Sequence, residues 1–175
     1  NINYKIDIGE KSKIKKISFI GNKKFKNSKL RNVIVSEEYK FWKFLSGKKF
    51  LNESLINFDS RLLKNFYLNN GYYNVKINQS YAKLLNDENF ELIFNIDANE
   101  KIYFDKISLD LPIDFEKNNY LEITNLFNKI KDEHYSINII EEILKKIETI
   151  TINEHNLSVN AFVEENIVLN KINLN

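Results

Sequence analysis

Ile2, Tyr4, Ile6 and Ile8 alternate with polar residues, the period of a half-buried strand, until Gly9-Glu10-Lys11 breaks it. A second extended run, Ile14 to Ile20, closes on Gly21-Asn22. The spacing then becomes helical. Asn27 is placed to cap a short helix carrying Leu30, Val33 and Ile34, and an aromatic stretch, Phe41-Trp42-Lys43-Phe44, leads to a loop at Gly47. Asn52 opens a longer helix whose stripe is Leu55, Ile56, Phe58, Leu62, Leu63, Phe66 and Tyr67, and Asn70-Gly71 ends it, glycine being free to turn left-handed. Val75, Ile77, Gln79 and Tyr81 then alternate, Asn86-Asp87-Glu88-Asn89 makes a hairpin turn, and Leu92, Phe94 and Ile96 return. The predicted order is strand, helix, helix, strand, strand.

The pattern then starts again. Glu10, Lys11, Lys16, Ile17 and Ser18 return as Glu100, Lys101, Lys106, Ile107 and Ser108, each 90 positions on, and Ile2, Tyr4, Ile6 and Asp7 match Leu92, Phe94, Ile96 and Asp97 at the same offset. One register held this long marks an internal repeat. In the second copy, Lys101 to Leu109 is the first strand, interrupted by Pro112, and a short helix carries Ile123, Leu126, Phe127 and Ile130. Ser136 caps a longer helix with Ile137, Ile140, Ile143, Leu144, Ile147 and Ile150. Val159, Ala161 and Val163 alternate, Glu164-Glu165-Asn166 turns, and Ile172 and Leu174 begin the last strand. On this reading residues 1–9 are the last strand of a preceding repeat, 10–99 one complete domain, and 100–175 a second with its last strand truncated. The short Ala98–Lys101 connection, lacking Gly, Pro and Ser, predicts restricted motion between the two.

Composition narrows what such domains can do. Of 175 residues, 26 are basic and 24 acidic, so the net charge of +2 gives no strong basic excess of the kind a nucleic-acid surface needs. The absence of cysteine removes thiolate metal sites, disulfides and cysteine nucleophiles, and is compatible with an oxidising compartment. His134 and His155 are the only histidines and lack the close spacing of a zinc site; they read as a helix–helix loop and a helix end. Glu141-Glu142 and Glu164-Glu165 are adjacent in sequence, so their side chains diverge. The four glycines are isolated and form no phosphate loop. No catalytic residue, cofactor or metal ligand is predicted.

Two stretches carry a specific likeness: KKISFIGNKKFKNSKLRNVI (Lys15 to Ile34), a strand ending in Gly-Asn, then an aromatic and a short helix, and LLKNFYLNNGYYNVKI (Leu62 to Ile77), a helix closing on Phe-Tyr-Leu-x-x-Gly-Tyr before a strand. Together they resemble polypeptide-transport-associated (POTRA) domains of the Omp85 family. Phe41-Trp42 between the helices resembles the tryptophan-rich segment that middle repeats of the family's assembly-factor members carry there. In the second copy His155-Asn156-Leu157 stands where the first has Asn70-Gly71-Tyr72, and asparagine is the usual substitute for a left-handed glycine. The resemblance implies an α+β fold of two tandem β-α-α-β-β repeats, each a three-stranded mixed sheet with two helices on one face. It also implies a non-enzymatic scaffold in the periplasm of a bacterium. Its partners would be unfolded outer-membrane β-barrel proteins and accessory assembly lipoproteins, and the C-terminal membrane barrel would lie outside this sequence. Another Omp85-family translocation protein is the alternative within the family. A small RNA-binding α+β module is the alternative outside it, although no nucleic-acid partner is expected.

In a sheet of this topology the strand Asn74, Val75, Lys76, Ile77, Asn78, Gln79, Ser80, Tyr81, Ala82, Lys83 is an edge. Polar and free of proline, it is the expected site for partners that add a strand. Gly21, Trp42, Gly71 and Tyr72 are expected to be structural: two turn glycines, an aromatic plug between the helices, and a core aromatic.

Overall fold

Parallel pairing between the first and last strand of each repeat organises the chain. A computed structural model describes residues 12–41, 47–86 and 89–175, so the predicted strand at 2–8, and Trp42 and Phe44, lie outside the described residues. The elements are β1 (Lys13–Asn22), α1 (Asn27–Arg31), α2 (Glu53–Leu68), β2 (Lys76–Asn86), β3 (Asn89–Asp97), β4 (Tyr103–Ile107), α3 (Leu121–Ile130), α4 (Ile137–His155), β5 (Glu165–Val168) and β6 (Lys171–Leu174). They form two three-stranded mixed sheets, in the orders β1-β3-β2 and β4-β6-β5. In each, the outer pair of sequence neighbours is antiparallel and the first strand runs parallel to the last. By packing, the chain divides into two compact units: the residues up to Lys64 with Lys76–Ala98, and Asn65–Val75 with Asn99–Asn175.

In the first unit, Ile17 and Phe19 alternate into the core, and the irregularity between Ile14 and Lys16 brings Ile14 to the same face; Phe19 stacks on Phe94 with ring centroids 5.6 Å apart. Leu30 of α1, Leu63 of α2, and Leu92 and Ile96 of β3 complete that core. Gly21 ends β1 with φ +87°, and a Cβ there would lie 2.4 Å from the Ile96 carbonyl oxygen, so only glycine allows this approach to β3. Two helix expectations are corrected. Asn27 is the first helical residue of α1, with Lys26 in the cap position. On α2 the stripe misplaced Phe58, which is exposed beside the Arg61 guanidinium, while its neighbour Asp59 is fully buried. The reason is hydrogen bonding: the Asp59 carboxylate accepts the Val35 and Ser36 amides at 2.7 and 3.1 Å, donors that would otherwise be buried unpaired. Asn52 does cap α2, its Oδ1 accepting the Leu55 amide at 3.0 Å.

The second unit repeats the plan. Ile102, Phe104, Ile123, Ile143, Ile147 and Ile172 are buried, and Tyr120 donates to or accepts from Thr151 at 2.8 Å within the core. Segment 65–75 belongs to this unit. Gly71 has φ +92° and its carbonyl accepts the Ile102 amide at 2.9 Å. Tyr72 is buried, edge-on to Tyr67, with the Lys101 ammonium over its ring. Ser136 occupies the N-cap position of α4, but the capping oxygen comes from elsewhere. Asn69 Oδ1 accepts both the Asn138 amide and the Ser136 hydroxyl at 2.9 Å. At the other end, Asn156 takes the left-handed conformation, φ 53°, in the role Gly71 plays after α2.

The predicted last hairpin is also corrected. Val159, Ala161 and Val163 keep their alternation of burial, but the strand is Glu165–Val168 and the turn falls at Leu169-Asn170, where Leu169 has φ +58°. Pairing stops at Glu164 and Asn175, which exchange two backbone hydrogen bonds.

Two outcomes follow from this geometry. Gly71→Val should lower stability by more than about 1 kcal/mol, because a β-branched residue is strained at positive φ, as read from urea unfolding midpoints. A Cβ at Gly71 would also come within 3.1 Å of His134 Cβ. Tyr73 donates its hydroxyl to Glu165 at 2.6 Å, and that bond, with burial, pushes the phenol up to about 12; burial pushes Tyr135, packed edge-on against it, up as well. Both groups are held protonated in the folded state, so their stabilisation is intact below the ordinary phenol value of about 10 and is lost as pH rises through the folded values. Thermal midpoints of the second unit should therefore fall above about pH 10, and Tyr73→Phe should leave only the part of that fall that belongs to Tyr135.

Candidate functional site: an open sheet edge

A three-stranded sheet exposes two rows of backbone groups, and in the first unit the described residues close one of them. Along the outer side of β1, the Ile14 carbonyl accepts the Tyr39 amide at 2.6 Å and the Ser12 carbonyl accepts the Leu51 amide at 2.9 Å. The Ile17 amide donates to Glu38 Oε1 at 3.0 Å and its carbonyl accepts Arg31 Nη2 at 2.7 Å, while Arg31 and Glu38 pair with each other at 2.8 Å. The segment between the two helices thus covers this edge with side chains and backbone together. The second unit does the same with its own inter-helix segment: Phe104 exchanges hydrogen bonds with Asp132 and Glu133, and Tyr135 donates to the Ile102 carbonyl, each at 2.9 Å. His134 lies in that segment, bridged to Tyr103, and His155 ends α4 stacked on Phe115 with centroids 4.0 Å apart.

The other edge is β2. Among the described residues, no backbone hydrogen bond reaches it from its outer side. Its bounds differ from the expected 74–83. Asn74 and Val75 precede the strand: the Asn74 carbonyl accepts Asn99 Nδ2 at 2.8 Å, and the Val75 amide turns back to the Tyr72 carbonyl at 3.1 Å. At the far end pairing continues to Asn86, whose Oδ1 accepts the Asn89 amide at 3.2 Å and tightens the hairpin.

Two irregularities in the β2–β3 register, between Ile77 and Gln79 and between Leu84 and Asn86, leave Asn78 and Leu85 as bulge residues. The regular, pairing-competent stretch is therefore Gln79–Leu84. Lys76 and Lys83 are exposed, as are Leu84 and Leu85, so the edge combines solubilising charge with an apolar end. Bulges leave no mark in a period-two pattern, and no sequence signal pointed to them. The covering role of Glu38, Tyr39 and Leu51 was also unforeseen, although Glu38, set between two helices with a cationic Arg31 upstream, is the residue type that such a cover requires.

The arrangement matches a known family. Residues 12–100 fit the POTRA model, described as a surface antigen variable number repeat. The chain belongs to the POTRA family. A curated relative, the outer membrane protein assembly factor BamA of Buchnera aphidicola subsp. Acyrthosiphon pisum, is 30% identical over 144 residues, which is 81% of this chain and 23% of the relative. The chain thus spans about a quarter of that protein's length. Among solved structures, POTRA domains 3–5 of Haemophilus influenzae BamA align over 94% of this chain and 65% of theirs, with a TM-score of 0.68 at 18% identity. POTRA domains 1–2 of the periplasmic domain of Omp85 from Anabaena align over 94% of both chains, with a TM-score of 0.55 at 13% identity. At such identities these two show the fold alone, and it is the POTRA fold in tandem. Among the described residues no helix is long and apolar enough to cross a membrane.

If Glu38 and Arg31 keep the β1 edge closed in this POTRA domain, Glu38→Ala should uncover the Ile17 amide. The expected loss is about 1–2 kcal/mol in urea unfolding, accompanied by concentration-dependent self-association in sedimentation that the parent does not show.

Proposed function

We propose that this chain is the periplasmic POTRA segment of a BamA-type outer-membrane protein assembly factor, read as consecutive repeats at 10–99 and 100–175. It acts without catalysis, as a scaffold that receives unfolded outer-membrane β-barrel proteins and accessory lipoproteins by strand addition along β2. The observation that carries this reading is the asymmetry of the first sheet. The β1 edge is closed by three hydrogen bonds from the inter-helix segment and one from Arg31 at the end of α1, whereas among the described residues none covers the regular run Gln79–Leu84 of β2. Strand addition reads main-chain geometry and asks little of side-chain identity, which suits a module that handles many unfolded β-strands. The bulges at Asn78 and Leu85 limit the register a guest strand can take to about six residues, and the flanking Lys76 and Lys83 oppose uncontrolled stacking of copies.

A proline scan from Ser80 to Lys83 tests the proposal. At alternate positions the amide faces outward, and proline there should preserve the far-UV spectrum and the unfolding midpoint while weakening binding of an extended outer-membrane β-strand peptide at least about tenfold. At the intervening positions proline should unfold the first unit. Outward-facing variants that bind such peptides as well as the parent would rule β2 out as the docking edge.

A further inference from the structure

Of the four glycines, only Gly71 follows an asparagine. Asn-Gly is the dipeptide most prone to deamidation, because glycine has no Cβ to hinder its own amide nitrogen as it closes on the preceding side chain. In that reaction the Gly71 nitrogen attacks Asn70 Cγ. The N–Cγ bond forms, the Cγ–Nδ2 bond breaks, and Nδ2 leaves as ammonia carrying the proton that the amide gave up. Water then opens the five-membered imide. Opening at Cγ leaves aspartate; opening at the main-chain carbonyl of residue 70 leaves isoaspartate, with the chain running on through Cγ.

The fold cannot escape this pair by changing the glycine. Gly71 has φ +92°, and a Cβ there would meet His134 Cβ at 3.1 Å. The second copy makes the corresponding turn with Asn156, itself left-handed and followed by Leu157, whose side chain crowds the attacking amide. In the folded chain both reacting groups at the first turn are engaged elsewhere. The Gly71 amide donates to the Leu68 carbonyl at 3.3 Å. Asn70 Nδ2 donates to the Phe66 carbonyl at 2.7 Å, one turn back along the chain, which draws the carboxamide toward α2. The backbone is pinned on both sides, the Tyr72 amide donating to the Tyr67 carbonyl at 3.0 Å and the Ile102 amide to the Gly71 carbonyl at 2.9 Å. Asn69, next to the pair, is tied to the start of α4 through Ser136 and Asn138.

We propose that Asn70-Gly71 is a latent self-modification site, gated by opening of segment 65–75 and destabilising to the second unit once it has reacted. The gate is the set of hydrogen bonds just described: the nucleophile and the leaving amide are freed only when the end of α2 lifts from its partners. Either product opposes reclosure. Aspartate at position 70 sets a carboxylate oxygen against the Phe66 carbonyl, two acceptors with no proton between them, at the negative end of the helix dipole. Isoaspartate inserts a main-chain carbon between residues 70 and 71, so the Tyr72–Tyr67 and Ile102–Gly71 bonds no longer fit one backbone path. The residue that the left-handed turn demands is therefore the one that makes the turn chemically labile, and the closed helix end is what protects it.

The test ages the full chain in mildly alkaline buffer, native and urea-unfolded side by side, and counts aspartate and isoaspartate at position 70 by peptide mapping. The unfolded chain should react at least about tenfold faster than the native one. Asn69→Ala, which cuts the tie to α4, should speed the reaction in native buffer and leave the rate in urea unchanged. Asn70→Asp, the aspartate product made directly, should lower the thermal midpoint of the second unit by more than about 4 °C. Equal rates in buffer and urea, an Asn69→Ala rate unchanged in native buffer, or a midpoint unmoved by Asn70→Asp would each overturn the proposal.

Discussion

Parallel pairing of the first strand with the last is the constraint on which each unit depends. A parallel neighbour cannot be reached by a tight turn, so the chain must travel the length of the sheet before returning, and the two helices and the segment between them fill that crossover. The hairpin partner then has only one place left, on the far side of the last strand. The last strand becomes the centre of the sheet and carries the most buried residues, Leu92, Phe94 and Ile96 in the first unit and Ile172 and Leu174 in the second. The crossover also passes the outer side of the first strand, which is why the inter-helix segment is the element that closes that edge in both units. One topological choice therefore sets the core, the covered edge and the open edge together.

Two kinds of polar group hold that crossover in place. Asp59 is buried because the turn after α1 leaves the Val35 and Ser36 amides without helical partners, and a carboxylate on α2 reaches both. Asn69 does a comparable task in the second unit, supplying the oxygen that caps α4. In each case a side chain distant in sequence satisfies backbone donors that local residues leave unpaired, which ties helix ends to the rest of the unit more firmly than apolar contact alone. The proposed docking edge is likewise built of main-chain groups, the outward-facing amides and carbonyls of β2.

Much of this was legible in the sequence because it rests on period. Alternation located β1, β3 and β4, helical spacing located α2, α3 and α4, and the 90-residue offset exposed the repeat, since each of these patterns reflects which side chains must leave water. The turn residues Gly21, Gly71 and Asn156 were legible for a different reason: few residues tolerate positive φ, so their identity reports the backbone directly. What remained hidden was decided between elements distant in sequence. Phe58 read as core and nothing marked Asp59 as buried until the amides of the turn after α1 were in place. The bulges at Asn78 and Leu85 exist only as mismatches against β3, and the true start of β5 depends on where Asn175 lies beside Glu164. Period determines which faces are buried; only the assembled sheet determines which backbone groups find partners, and the open edge of β2 is a statement about partners.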